Sequence, residues 1–591
     1  MRTACVQTDG DLHLMNNGQP SAYLSFTLHA HLPYVIHHGT WPHGLEWLHE
    51  AAAETYLPLL GVMRRLERDG LALKANLSLS PVLLEQLTHR TFKEEFPRYV
   101  ERKINSARED ENYFRQNGEH RFAETAVFWL QFFERTLADF YELDRDIVKG
   151  FRHFNDTGAI EILSCAATHG YLPLLGTDES VAAQIRTAVA VHERHLGRKP
   201  RGMWVPECGY RPAGTWQAPV TASGEPGPWE PFSRIGVEEA LADAGIEYFF
   251  IDTHLVEESI LFTPYQMMSG NLGLLLHNLP AHELKRRGDL DAIYRPYVVD
   301  GPHSAEHPVT VFPRDPQTGL QVWSGDTGYP ADGNYLDFHK KRWPGGHQYW
   351  QVTVAQSDMA LKQPYYPEEA LARTLVHAEH FVALVSASLK AAFDRQQPPV
   401  LASLFDAELF GHWWFEGPVW LEHVARIFPR QDLPIALATG SEYLAKHPAA
   451  VTVKLGEGSW GKNGNNEVWL NDQTSWTWEH IYRAERVMRD VARDCRWRDG
   501  GWGERIAKQM ARELLLLESS DWQFLITTAA ARDYAEKRFS GHLNQFTELE
   551  MLWAEFVANS ALSQSAQELL TETEERDCLF AEIDPGLWAT R

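Results

Sequence analysis

Residues 22–35 read AYLSFTLHAHLPYV, and the reading of this stretch decides the fold. Its residues alternate, with enough aromatic and β-branched side chains for a strand, and the strand stops at Pro33. His29 and His31 lie two apart and therefore on one face at its end. Five further segments have the same character: LALKANLSLS (71–80), AIEILSCAA (159–167), GMWVPE (202–207), IEYFFIDT (246–253) and PVLASLFDAE (399–408), each preceded by a helix-like stretch. Apolar strands alternating with helices predict a parallel sheet covered by helices, with functional residues at the C-terminal ends of strands. His29, His31, Glu207, Asp252 and Asp406 all take that position.

Between Pro81 and Asn155 the chain turns charged and helical, which predicts an inserted helical subdomain at 91–155 between barrel segments 21–90 and 156–450. The stretch 211–235, rich in Pro and Gly and carrying Trp216 and Trp229, reads as a long loop, and a second irregular region runs from about Val256 to Pro344. Beyond Val451 strand signals cease. The stretch 504–556, from ERIAKQM to LWAEF, reads as two or three amphipathic helices of a C-terminal domain at 451–591, while residues 1–20 read as a polar extension.

At 591 residues the chain exceeds what one hydrophobic core usually serves, and 44% hydrophobic against 23% charged residues leaves no room for long disorder. A formal charge of -25 repels phosphate backbones and anionic surfaces, so neither nucleic acid nor membrane is an expected partner. The 21 tryptophans suit a neutral polar ligand such as carbohydrate, held by flat ring faces beside hydrogen-bonding groups. Cys5, Cys165, Cys208, Cys495 and Cys578 are odd in number and contain no CxxC, which argues against a disulfide framework and a zinc ribbon. With no secretory leader or membrane-length apolar run at the N-terminus, a cytoplasmic location is expected.

Two segments carry chemistry. WVPECGY (204–210) and FDAELFGHWWFEGP (405–418) each place an acidic residue at the end of an apolar strand. Carboxylates on separate strand ends of one barrel can face each other across a cleft, as cleavage of a glycosidic bond requires. An ion-paired scaffold role for Glu207 and Asp406 is the competing reading. Trp204, Trp323, Trp413, Trp414, Trp420, Trp460 and Trp469 fall in or near the segments around that cleft, where rings could bind successive sugars.

The ordered set HAHLPYV, EILSCAATHGYLPLL, WVPECGYRP, VWSGDTGYPADGNYLDFHKKRWP, FDAELFGHWWFEGP and GSWGKNGNNEVWLND resembles the branching enzymes of glycoside hydrolase family 57, from about Ser21 to about Phe556. The resemblance implies a (β/α)7 barrel with an inserted helical domain and a C-terminal helical domain. It implies a retaining mechanism without metal or cofactor, acting on α-1,4-glucan such as amylose or glycogen, in a monomer or homodimer. Glu207 would be the nucleophile and Asp406 the general acid and base. His29, His31 and His169 would line the donor subsite. Trp41, Trp323, Trp460 and Trp469 would form a glucan platform beside Trp413, with Arg314 and Asp521 as further substrate contacts. Ala331 stands where relatives commonly carry glycine. Tyr265 matches the tip of a lid loop that excludes water and so favours transfer over hydrolysis. A 4-α-glucanotransferase or amylase with the same carboxylates, a catalytically silent glucan-binding protein and a metal-dependent polysaccharide deacetylase are the alternatives.

HAHLPYVIHHGTWPHG (29–44) packs five histidines into sixteen residues and raises the question of metal. Zinc sites use three or four ligands with carboxylate or thiolate support, HEXXH spacing is absent, and His29 and His31 end a strand. Two neutral imidazoles offer a sugar one donor and one acceptor each. His37, His38 and His43 read as loop residues, one or two of them solvated bystanders.

Overall fold

The computed structural model describes residues 20–220, 230–256, 290–302, 306–390, 392, 397–430 and 434–589. Seven parallel strands form its centre: β1 (Ala22–Ala30), β2 (Ala75–Leu79), β3 (Ile160–Cys165), β4 (Gly202–Trp204), β5 (Tyr248–Ile251), β6 (Thr310–Pro313) and β7 (Val400–Asp406). They pair in the order β7-β1-β2-β3-β4-β5-β6. The ring closes through one parallel bridge between Arg314 and Ala402, supported by the Asp315 N–H donating to the Ala402 carbonyl at 2.8 Å. This bears out the parallel, helix-covered sheet that the alternation of strands and helices predicts and the (β/α)7 barrel that the family resemblance implies.

All nine residues of β1 are buried, and its period of two sorts them. Phe26 packs outward against Phe381 and Trp420 of the covering helices Pro367–Lys390 and Gly417–Ile427. Ser25 and Thr27 take hydrogen bonds from the Asn76 amide on β2, at 3.1 and 2.9 Å, which satisfies polar groups that burial would otherwise penalise. His29 is next on that face, so the strand delivers it to the rim.

β6 overturns one expectation. TVFP lies inside the stretch read as a long irregular region, as do the helix Pro316–Trp323 and the strand Tyr297–Val299, which pairs antiparallel with β6. Four residues ending in proline show no alternation, and pairing with β5 on one side and Tyr297–Val299 on the other makes them a strand.

Between β2 and β3 the helices Arg90–Gln116 and His120–Glu142 form a long hairpin, followed by Ile147–Asp156 leading back into the barrel. The helix after β1, residues 45–68, is interrupted by a π turn at Ala52–Tyr56. Past the barrel stand the helices Ser475–Arg493, Gly501–Leu517, Asp521–Thr528, Arg532–Asn559 and Gln564–Arg576, and the middle three cover the stretch 504–556 that reads as two or three helices. The breaks between them carry no proline; three fall at Gly500–Gly501 and at the left-handed Ala529 and Ser560, and the fourth at Glu518–Ser520. Among the described residues no helix is long and apolar enough to cross a membrane.

Candidate active site

The C-terminal rim of the barrel brings histidines together first. His29 is in register with Asp406 of β7 and Ser78 of β2, and its ring lies flat on Trp204, with centroids 4.7 Å apart. Its Nδ1 meets Ser78 Oγ at 3.1 Å, its Nε2 meets His169 Nε2 at 3.0 Å, and His169 Nδ1 meets Ser520 Oγ at 2.8 Å. Beside this chain, His31 stacks on His169 at 4.1 Å, takes up Ser80 Oγ at Nδ1 and donates from Nε2 to Asp521 at 2.9 Å. Burial pushes the His29 and His169 imidazoles well below the usual histidine range, so both are neutral. Burial alone would raise Asp521, but His31 and the hydrogen bonds around it hold its carboxyl down at about 2.

The neutral rings leave the chain Ser78–His29–His169–Ser520 two self-consistent proton settings. In one, Ser78 donates to the Ser164 carbonyl and each successive group donates back toward it, ending with Ser520 donating to His169. In the other every donor is reversed, and Ser520 turns its proton toward Glu207. Either way, both ring nitrogens of His29, His31 and His169 are occupied within the protein. A sugar hydroxyl would have to share or displace these bonds, which qualifies the expectation of free imidazole donors and acceptors.

β4 ends at Trp204, and the next turn holds Glu207 at φ 57°, ψ 24° and Cys208 at φ 48°. Left-handed backbone at residues with a Cβ costs about 1–3 kcal/mol each, which persists only where the surroundings enforce it. They do so through Trp460: its backbone N–H donates to the Glu207 carbonyl at 3.0 Å and its indole Nε1–H to Glu207 Oε2 at 2.7 Å. Burial pushes the Glu207 carboxyl up to about 7, against the indole bond that favours its ionised form. Arg314, just past β6, lies 5.5 Å from the Trp460 ring and 3.9 Å from Asp252.

Asp406 ends β7, and burial together with the negative charges of Glu408 and Glu207 pushes its carboxyl well above the usual range, with Arg314 opposing. The rim thus holds one carboxyl near neutrality with a donor favouring its anion and a second that keeps its proton. Such a pair divides the labour of nucleophile and acid. Glu408 escaped the sequence reading. It is buried, accepts from Tyr56 Oη at 2.6 Å and from the His31 N–H at 3.1 Å, and burial pushes it up to about 7. Its place two residues after Asp406 was the available signal.

The tryptophans divide. Trp460 bonds Glu207, and Trp323 and Trp413 form a half-buried pair with centroids 6.3 Å apart. Trp41 is 62% exposed and meets the exposed Trp343 edge-on at 5.9 Å. Trp469 is fully buried against Tyr171, stacked at 4.2 Å, so it offers no face to a ligand and instead backs the rim. Trp414 and Trp420, expected around the cleft, lie in the core because they pack on each other and on Phe410. Ala331 is half-buried in the short turn Tyr329–Ala331 with an ordinary backbone, so the local conformation does not call for glycine. Tyr265 and Trp229 lie outside the described residues.

His38 is no bystander: its Nε2 bonds the buried Asp577 at 2.6 Å. Among the described residues His31, His169 and Asp521 bring one ligand atom each within 4.8 Å of one another, the kind of convergence a metal would need. The His31 and His169 rings, however, are stacked nearly parallel, with centroids 4.1 Å apart and planes 11° from parallel, so their in-plane lone pairs do not aim at one common point.

A half-buried carboxylate pair on the rim of a (β/α)7 barrel, flanked by imidazoles and indoles, has the make-up of a glycoside-cleaving site. The chain belongs to glycosyl hydrolase family 57, whose model matches residues 25–456, and residues 480–588 match the model of the 1,4-alpha-glucan branching enzyme C-terminal region. It is 39% identical to a 1,4-alpha-glucan branching enzyme of Thermococcus kodakarensis over 95% of this chain and 78% of that one. The crystal structure of a branching enzyme of the family from Pyrococcus horikoshii superposes with a TM-score of 0.85 at 38% identity, covering 97% of each chain. That of the alpha-amylase AmyC from Thermotoga maritima gives 0.78 at 28% identity, covering 97% of this chain and all of the other.

Proposed function

We propose that this protein is an α-1,4-glucan branching enzyme. Glu207 attacks the anomeric carbon of an α-1,4 link while Asp406 protonates the departing 4-oxygen, leaving a chain fragment on Glu207. Asp406 then removes the proton of an acceptor's 6-hydroxyl, whose oxygen displaces Glu207 and forms an α-1,6 branch with net retention. Loss of the Glu207 charge in the first step lowers the proton affinity of Asp406 when it must act as a base. No cofactor enters either step.

The observation that carries this reading is the hydrogen bond from His31 to Asp521. It ties the barrel rim to the segment resembling the branching-enzyme C-terminal region, so that segment helps build the site. In this reading Trp41, Trp323, Trp413, Arg314 and Ala331 line the glucan path, and Tyr265 of LFTPYQMMSGN is the residue that favours transfer over hydrolysis. The same reading divides the chain into a barrel at 21–90 and 156–450, an insert at 91–155 and a C-terminal domain at 451–591. The free Cys165, Cys208, Cys495 and Cys578 support a reducing, cytoplasmic setting.

The likeness to an alpha-amylase favours a second reading, hydrolysis by the same carboxylates. Incubation with linear amylose separates the two. Branching creates α-1,6 links, counted after debranching, with few new reducing ends. Hydrolysis creates reducing ends without α-1,6 links.

A further inference from the structure

The loop after β7 is clamped onto the π turn Ala52–Tyr56 at three points. Tyr56 Oη donates to Glu408 at 2.6 Å, and His412 Nδ1 bonds Glu54 at 2.8 Å. Gly411, at φ 118°, lies so close to the Glu54 carbonyl that a Cβ there would overlap it. The π turn is marked by the Leu57 N–H reaching back five residues to the Ala52 carbonyl. One extra residue in a turn rotates the next stretch of helix by roughly 100° relative to an uninterrupted one, and π turns are enriched at functional sites. Here it faces Tyr56 toward a carboxylate 352 positions away in sequence.

We propose that the Tyr56–Glu408 pair is a positioning device for the reaction: it fixes a second buried carboxylate beside Asp406, so that Asp406 holds its proton until the leaving oxygen of the glucan takes it. This rests on the catalytic reading of Asp406 and Glu207 but not on which acceptor enters afterwards.

The groups facing this pair come from four strand ends and one helix. On Glu408 they are Tyr56 from the π turn and His31 from the end of β1. On Asp406 they are Glu408 in its own loop, Glu207 after β4 and Arg314 after β6. Glu408 supplies the larger of the two repulsions, and Arg314 is the opposing cation. The Tyr56 hydroxyl favours the ionised form of Glu408 and so maintains that repulsion. Glu408 contributes no comparable effect to Glu207, whose neighbours are Trp460, Asp521, His31 and Ser520.

The test is the pH dependence of kcat/KM for maltoheptaose cleavage by the full chain, compared with Glu408→Gln and Tyr56→Phe. The basic limb reports loss of the proton on Asp406 and the acid limb ionisation of Glu207. In Glu408→Gln the basic limb moves about one pH unit lower while the acid limb stays, and Tyr56→Phe moves it the same way by less. α-Maltosyl fluoride, whose leaving group needs no proton, is cleaved by all three with kcat/KM within about threefold. A uniform fall in rate on both substrates, with neither limb displaced, overturns the proposal and leaves Glu408 a scaffold group. If Glu408→Gln loses maltoheptaose cleavage altogether while azide speeds its turnover of α-maltosyl fluoride with formation of a maltosyl azide, Glu408 is itself the acid and base, and the assignment of Asp406 falls with the proposal. Wild-type protein that cleaves neither substrate would refute the catalytic reading as a whole. Should Glu408→Gln fail to fold, Tyr56→Phe, which leaves the His31 bond intact, decides alone by the displacement of its basic limb.

Discussion

Asp521 takes a 2.9 Å hydrogen bond from His31 Nε2, although 490 positions separate the two residues. Asp521 is the first residue of the helix Asp521–Thr528, where the helix dipole favours a negative charge. It is steadied by Ser519 and in turn orients the ring that stacks on His169. Asp521→Asn should lower kcat/KM on amylose by about 10–100-fold through misplacement of the imidazoles. Its effect on stability depends on pH. Because the folded carboxyl is held down at about 2, its stabilisation is present above the unfolded value and is lost as pH falls through the folded one. The melting temperatures of wild type and variant should therefore differ at pH 6 and converge toward pH 2. A gap that persists at low pH would count against this account.

Glu207 carries the opposite sign. Its folded value is raised to about 7, so the stabilisation it gives is complete below the unfolded value and disappears as pH rises through 7. Replacing it by glutamine removes that penalty. Glu207→Gln should be inactive yet more resistant to urea than wild type at pH 8, by on the order of 3 kcal/mol, with the advantage gone at pH 4. Equal stability at both values would mean that the charged carboxylate is not penalised where it stands.

Trp460→Phe keeps a ring against Trp204 but removes the indole donor on Glu207. Losing a bond to the ionised form raises the Glu207 value, so the acid limb of kcat/KM should move to higher pH. Activity should then fall more at pH 6 than at pH 8. An equal loss across that range would point to simple misfolding of the rim.

Trp41 is the most exposed of the tryptophans assigned to the glucan path. Losing ~1 kcal/mol of ring contact in Trp41→Ala should raise KM for amylose about fivefold. An unchanged KM, measured by reducing-end release from amylose, would place the glucan elsewhere.

The barrel was legible where an apolar run follows a helix-like stretch, which found even the three-residue β4 within GMWVPE. AYLSFTLHAHLPYV and PVLASLFDAE carry enough alternation and apolar content to be recognised alone, and both end in residues of the site. β6 was not, since no helix-like stretch announces its four residues and they become a strand through partners on β5 and on Tyr297–Val299. For the site, strand-end position and motif context led to Glu207, Asp406, His29 and His31. What they could not reveal is burial: Trp469 looks like a sugar platform in GSWGKNGNNEVWLND but is covered by Tyr171. Nor could they reveal Glu408, whose significance depends on a tyrosine supplied by a π turn far upstream. Spacing within a motif says which residues lie close in the chain, whereas these two cases turn on what the fold lays over or against them.

The single bridge joining β6 to β7 makes the barrel wall uneven. Seven main-chain positions of β1 are matched with β7, but the closing seam rests on Arg314 and Ala402 and one further amide, that of Asp315. Amide protons along that seam should exchange with solvent sooner than those of the β1–β7 ladder, because so few bonds must break to free them. The seam is also where Arg314 stands between Trp460 and Asp252. The wall of the hoop is therefore thinnest in main-chain bonds beside residues it carries to the reaction, and thickest where its two longest strands meet.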